Sequence, residues 1–168
     1  DRAAELPGVQ VVVGNVDKER IAERLGPAPF GADASAGAQN LAPLLRTRAF
    51  VKIQDGCDNE CTYCIVRIAR GPQRSRDKDA IVAEIQDRVR AGYKEVVLTG
   101  VHIGAYGRDQ RQPGGAALWD LVATVLHETT ISRLRLSSIE PWDILPQHLV
   151  LWQNERLCRH LHLPLQSG

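Results

Sequence analysis

Three cysteines fall within eight residues of the stretch DGCDNECTYCIVRIARG (55–71): Cys57, Cys61 and Cys64, in the spacing C-x3-C-x2-C. Thiols this close in sequence cannot anchor a fold by disulfides, and a reducing compartment keeps them free. They are then metal ligands, and two chemistries remain open. A structural zinc site needs a fourth ligand. Cys158 is a candidate, with Cys158, His160 and His162 on one face if that stretch is extended. The alternative is an iron-sulfur cubane bound by three thiolates, which leaves one iron free to take a small molecule. Four thiolates would close the cluster to substrate and make it an electron carrier.

Such a loop needs a rigid rim to hold it, and the hydrophobic pattern supplies one. Ala49–Gln54 alternates and is rich in strand-forming residues, and the cysteine loop follows it directly. Asp77 is placed to cap a helix in which Ile81, Val82, Ile85 and Val89 recur at helical spacing, with Gly92 as its stop. Glu95–Thr99 reads as a strand, Leu118–His127 as a helix, Arg133–Ser138 as a strand, Pro146–Trp152 as a short helix and Leu161–Leu165 as a strand. Strand, loop and helix repeat with crossovers of the length that parallel pairing requires, so the fold class is α/β. Parallel strands joined this way place ligands at their C-terminal ends. The cysteines, TGVHIG (99–104), SSIEP (137–141) and QSG (166–168) therefore share one rim.

The N-terminal part reads differently. Val9–Val13 is a short apolar run, Asp17–Leu25 a helix with Ile21, Ala22 and Leu25 on one side, and Gly26–Pro43 an aperiodic stretch of Gly, Ala, Pro, Ser and Asn. The expected organisation is an end piece of an α/β domain at 1–25, a linker at 26–45 and a second domain at 46–168. The chain has 168 residues, 43% of them hydrophobic, and a net charge of +1. That balance excludes a generally nucleic-acid-attracting surface and leaves only local patches. No apolar run is long enough to cross a bilayer, so no membrane partner is expected and the expected location is the cytoplasm. The first residue is Asp rather than Met and the last strand runs into a loop, so a fragment is expected.

The three-cysteine loop, with Tyr63 just before its last Cys, resembles the radical S-adenosylmethionine (SAM) superfamily. VKIQDGC, CTYCI, ARG, RSR, LTGVHIGAYG, LRLSSIEP and HLPLQSG together resemble the methylthiotransferases, within them the branch acting on N6-threonylcarbamoyladenosine beside the tRNA anticodon. The resemblance covers nearly all of 46–168, and GNVDKERI (14–21) resembles the end of that family's N-terminal domain. It implies a partial (β/α) barrel, TIM-barrel-like, with the first four strands present. It implies that Cys57, Cys61 and Cys64 hold a [4Fe-4S] cluster whose open iron chelates SAM, and that an electron from the cluster cleaves the sulfonium to a 5'-deoxyadenosyl radical. Thr99 and Gly100 would receive the methionine amino group, Tyr63 would lie near the adenine, and Ser138, Glu140 and Gln166 would meet the ribose or methionyl group. Where the family usually has Pro and an aromatic after CTYCI, this chain has Arg67 and Ile68.

The same resemblance implies a second [4Fe-4S] cluster and an RNA-binding domain in parts beyond these residues, without which the reaction would not be completed. It also implies a reductant such as flavodoxin or ferredoxin. Arg67, Arg70, Arg74, Arg76 and Lys78 form the only dense basic run and would position a tRNA anticodon loop through its phosphates; a solvated loop is the plainer account of them. His102, on the same rim, is left unassigned: near the cofactor it could hydrogen-bond SAM, and a rim histidine with no role accounts for it equally well. Other substrates stay open: isopentenyladenosine in tRNA, or an aspartate of a ribosomal protein. From another class, a zinc-stabilised RNA-binding module without catalysis also stays open.

Overall fold

Arg48–Lys52 (β1) alternates in exposure, with Ala49 and Val51 buried and Phe50 turned outward, the period-two pattern of a strand covered on one face. The computed structural model describes residues 2–9, 11–25, 47–110 and 116–165. Contacts divide the chain into Asp1–Leu41 and Ala42–Gly168. In the larger unit β1 pairs in parallel with Glu95–Thr99 (β4), and β4 pairs in parallel with Arg133–Leu136 (β5). Glu95–Leu98 is buried along its whole length, as the central strand of a covered parallel sheet must be. Between β1 and β4, Gln54–Asp55 (β2) and Arg74–Ser75 (β3) form a small antiparallel ladder. Beyond β5, single parallel bridges join Leu134 to Leu157 and Ser138 to His162.

The crossovers are helical. Lys78–Arg90 (α3) starts where Asp77 Oδ1 accepts the Ala80 N–H at 3.0 Å, and it ends before Gly92, whose φ of +90° suits glycine. Its Ile81, Val82 and Ile85 are buried and Val89 packs against the core. Ala116–Glu128 (α4) adds Leu118, Leu121, Val122 and Val125. Burying each such side chain stabilises by about 1.5–3 kcal/mol, so the two helices and the sheet make a continuous apolar core that holds the strand ends in place.

Four expectations are corrected. The strand expected at Ala49–Gln54 ends at Lys52; the chain then changes partner, Ile53 is fully buried, and Gln54 joins the second ladder. The helix expected at Asp17–Leu25 is 3-10 over Asn15–Arg20 and α only over Ile21–Leu25 (α1), because Asn, Val and Asp are poor helix formers. Pro146–Gln153 is likewise 3-10: PQHLVLWQ carries no stripe at 3.6 spacing, and Leu149 and Val150 are exposed. Leu161–Leu165 makes one bridge rather than a strand, and Pro164 has no N–H to continue a ladder. The run 9–13 carries no strand among its described residues. The expected linker, residues 26–45, lies outside the described residues.

Candidate functional site

The cysteine loop is fastened at its root by Gln54, whose side chain is wholly buried. Its Nε2 donates to the carbonyls of Gly56 (2.6 Å) and Asp55 (3.2 Å), and its Oε1 accepts the N–H groups of Val101 (3.0 Å) and His102 (2.9 Å). One amide therefore ties the loop after β1 to the loop after β4. Two glycines make the approach feasible. Gly56 has φ +72° and a Cβ there would meet the Pro72 carbonyl oxygen at 2.0 Å; a Cβ at Gly100 would meet the Gln54 carbonyl oxygen at 2.9 Å.

Between these anchors the loop is held across its base, where Cys57 N–H donates to the Gly71 carbonyl (3.2 Å) and Gln73 N–H to Asp58 Oδ1 (3.0 Å). Cys64 N–H closes a turn onto the Cys61 carbonyl (3.0 Å), and Val66–Arg70 (α2) follows. All three cysteines are free thiols, Cys57 half-buried and the others exposed. They line one cavity of about 170 Å³ together with Asn59, Tyr63, Arg67, Val101, His102 and Glu140. Tyr63 is 77% exposed. A second cavity of about 200 Å³, lined by Lys52, Gln54, Asp55, Arg70, Thr99, Gly100 and Val101, adjoins the first at Val101.

Tyr63 and Glu140 thus stand with the cysteines, and Thr99 and Gly100 next door. Ser138 is engaged elsewhere: its hydroxyl lies 2.8 Å from His162 Nδ1. Gln166 lies outside the described residues. Three members of the basic run already have partners. Arg67 pairs with Glu60, Arg70 with Asp55 (3.3 Å), and Arg76 with Glu84 (2.8 Å) and the Lys52 carbonyl (2.7 Å). Arg74 is half-buried in β3.

One buried ionisable group beside the cysteines is left unassigned by the sequence. His102 is 7% exposed; its Nε2 lies 2.8 Å from Asp143 Oδ2, and Asp143 Oδ1 accepts from Arg108 Nη2 (2.7 Å). The Gly104 position leaves Asp143 its space, since a Cβ there would fall 2.0 Å from Oδ2. The signal was present in GVHIG and in the acid three residues after Glu140, but only the fold brings them together.

Residues 51–168 match the model of the Radical SAM superfamily. The chain belongs to the radical SAM superfamily. Among relatives, it is 38% identical over 176 residues to the threonylcarbamoyladenosine tRNA methylthiotransferase MtaB of Bacillus subtilis, covering 97% of this chain and 39% of that protein. It is 42% identical over 125 residues to the protein of the same name from Thermotoga maritima, covering 73% and 28%. It is 45% identical over 125 residues to the tRNA-2-methylthio-N(6)-dimethylallyladenosine synthase of Shouchella clausii, covering 73% and 23%. The chain spans less than two fifths of the length of each of these relatives.

Radical SAM membership implies a [4Fe-4S] cluster and SAM, and the donor set fits: three free thiols open into a single cavity. Among the described residues no three His, Cys, Asp or Glu side chains converge on one ion. A cluster instead takes its thiolates on separate irons. The zinc alternative named Cys158 as its candidate fourth ligand, and that residue is at the other end of the sheet. Its N–H donates to the Leu134 carbonyl (2.8 Å) near the start of β5, whereas the radical SAM loop leaves the end of β1.

Proposed function

We propose that this chain is the cluster-bearing part of a radical SAM methylthiotransferase acting on C2 of N6-threonylcarbamoyladenosine next to the tRNA anticodon. The observation that carries it is the cavity at the C-terminal end of a parallel sheet into which Cys57, Cys61 and Cys64 all open. The three parallel strands, with the bridges after β5, belong in this reading to a partial (β/α) barrel. In this reading the three thiolates hold a [4Fe-4S] cluster with one iron open to SAM. When bound, the pair supplies a hydrogen-abstracting radical. The chain's own residues bind and shield: Thr99 and Gly100 line the adjoining space for the methionyl end, Tyr63 covers the adenine, and Glu140 faces the ligand across the cysteine loop. In the same reading Ser138, its hydroxyl exchanging His162 for the ligand, and Gln166 would meet the ribose or methionyl group.

The named relatives support the substrate in this reading. The match to the Bacillus subtilis protein extends over 97% of this chain, which favours threonylcarbamoyladenosine. The 45% identity to a dimethylallyladenosine synthase supports isopentenyladenosine as the second reading. Arg67 lines the cysteine cavity and Arg70 the adjoining one, where the phosphates of an anticodon loop would exchange with their carboxylate partners, and Arg74 and Arg76 would extend that contact. A flavodoxin or ferredoxin would deliver electrons, a second [4Fe-4S] cluster would sit on a preceding domain, and the enzyme would work in the cytoplasm. The test is nucleoside mass spectrometry of tRNA from a strain lacking this modification and complemented with the full-length protein. Recovery of the 2-methylthio derivative of threonylcarbamoyladenosine supports the proposal. Recovery of only the methylthio isopentenyl nucleoside selects the second reading, and recovery of neither defeats both.

A further inference from the structure

The cavity contains a buried acceptor that none of the roles above uses. Asp143 accepts from Arg108 Nη2 at 2.7 Å, so its carboxylate is fixed in place and charge-compensated. A carboxylate only accepts, so the 2.8 Å contact to His102 requires the proton on Nε2. The His102 backbone is pinned as well, through its N–H to Gln54 Oε1. Ring position, plane and tautomer are therefore all set from behind. In the neutral ring what remains is Nδ1, an acceptor on a side chain 7% exposed that lines the three-cysteine cavity. Its nearest protein donor is Asn59 Nδ2, at a long 3.5 Å. A good N–H hydrogen bond spans about 2.7–3.2 Å. A buried acceptor left this loosely paired loses free energy unless something else donates to it.

We infer that His102 Nδ1 accepts a hydrogen bond from an N–H or O–H donor of the SAM that fills this cavity, with Asp143 and Arg108 as positioning residues that fix its tautomer. The inference rests on the proposed cluster site, and it adds a ligand contact absent from the assignments above. SAM carries several donors of the required kind, an ammonium, two ribose hydroxyls and an exocyclic amine, and His102 needs only one.

The geometry supplies its own controls. An asparagine at 102 places an amide oxygen near the Nδ1 position, whereas a glutamine reaches the Nε2 position and keeps the donor to Asp143 while withdrawing the acceptor from the cavity. The experiment is equilibrium binding of SAM to the full-length protein reconstituted anaerobically with iron and sulfide, with iron content measured on each sample. His102→Gln and His102→Ala should bind SAM about tenfold more weakly, the worth of one hydrogen bond, at unchanged iron content. His102→Asn should recover most of the affinity. Binding by His102→Gln equal to the parent, or by His102→Asn no better than by His102→Ala, overturns the role of Nδ1 and leaves the cluster intact. A parent protein that takes up iron but binds no SAM, or that takes up no iron, overturns this inference and the cluster reading together.

Discussion

Single atoms decide whether the rim can form. Gly104 is buried and gives the Asp143 carboxylate its room; any side chain there must displace an oxygen that His102 and Arg108 both hold. Gly104→Ala should therefore cost about 1–3 kcal/mol, the range for overpacking a closed site, seen as a lowered urea midpoint at unchanged slope. A variant as stable as the parent would mean that Asp143 moves freely, and the tautomer argument for His102 would lose its support. At this scale the sequence was readable where spacing alone suffices. That Cys57, Cys61 and Cys64 line one cavity follows from C-x3-C-x2-C alone, whereas the His102–Asp143 contact joins residues 41 apart that no local pattern links.

Elements meet through Gln54. Replacing it by leucine keeps the bulk and leaves the Gly56 carbonyl and the Val101 and His102 N–H groups without partners. Unpaired buried groups cost about 1–3 kcal/mol each, so Gln54→Leu should lose about 3 kcal/mol and speed hydrogen exchange at the Val101 and His102 amides. Exchange unchanged at those two amides would show that the loops are held together by something else. Helices and central strands were legible because period and caps agree: Asp77, Ile81, Val82, Ile85 and Gly92 mark Lys78–Arg90 from end to end. The β2–β3 ladder was not, since two residues on each side carry no periodicity, and Gln54 read as the end of a strand rather than as a clamp. Pro146–Gln153 failed for the opposite reason, an apolar stretch in which Leu149 and Val150 face solvent while only Leu151 and Trp152 pack against the core.

Across the whole larger unit, charge secures the end of the sheet away from the cysteines. Glu95, 6% exposed, opens β4 and pairs with Arg48 (2.8 Å), Arg135 (2.8 Å) and Arg133 (3.2 Å), one on each of the flanking strands and a second on β5. Burial pushes its carboxyl upward, but the hydrogen bond from Arg135 and the charges of the three guanidiniums outweigh burial and hold it below its ordinary value. A folded-state value below the unfolded one stabilises the fold above the ordinary carboxylate range, and that stability is lost as pH falls through the lowered value. Glu95→Gln should thus reduce stability at neutral pH and flatten the acid limb of the stability curve; parallel acid limbs for the two proteins would rule this out. Stability and chemistry are in this way separated to opposite ends of the same strands, the arrangement expected of parallel α/β folds.

The central claim is a cluster held by three thiolates with an iron left for SAM. It is tested most directly by the electron paramagnetic resonance spectrum of the reduced, reconstituted full-length protein, recorded with and without SAM in a background where only this cluster is present. The account predicts a [4Fe-4S] signal that SAM changes and that disappears on Cys61→Ala. A signal indifferent to SAM, or one that survives the loss of Cys61, would contradict it.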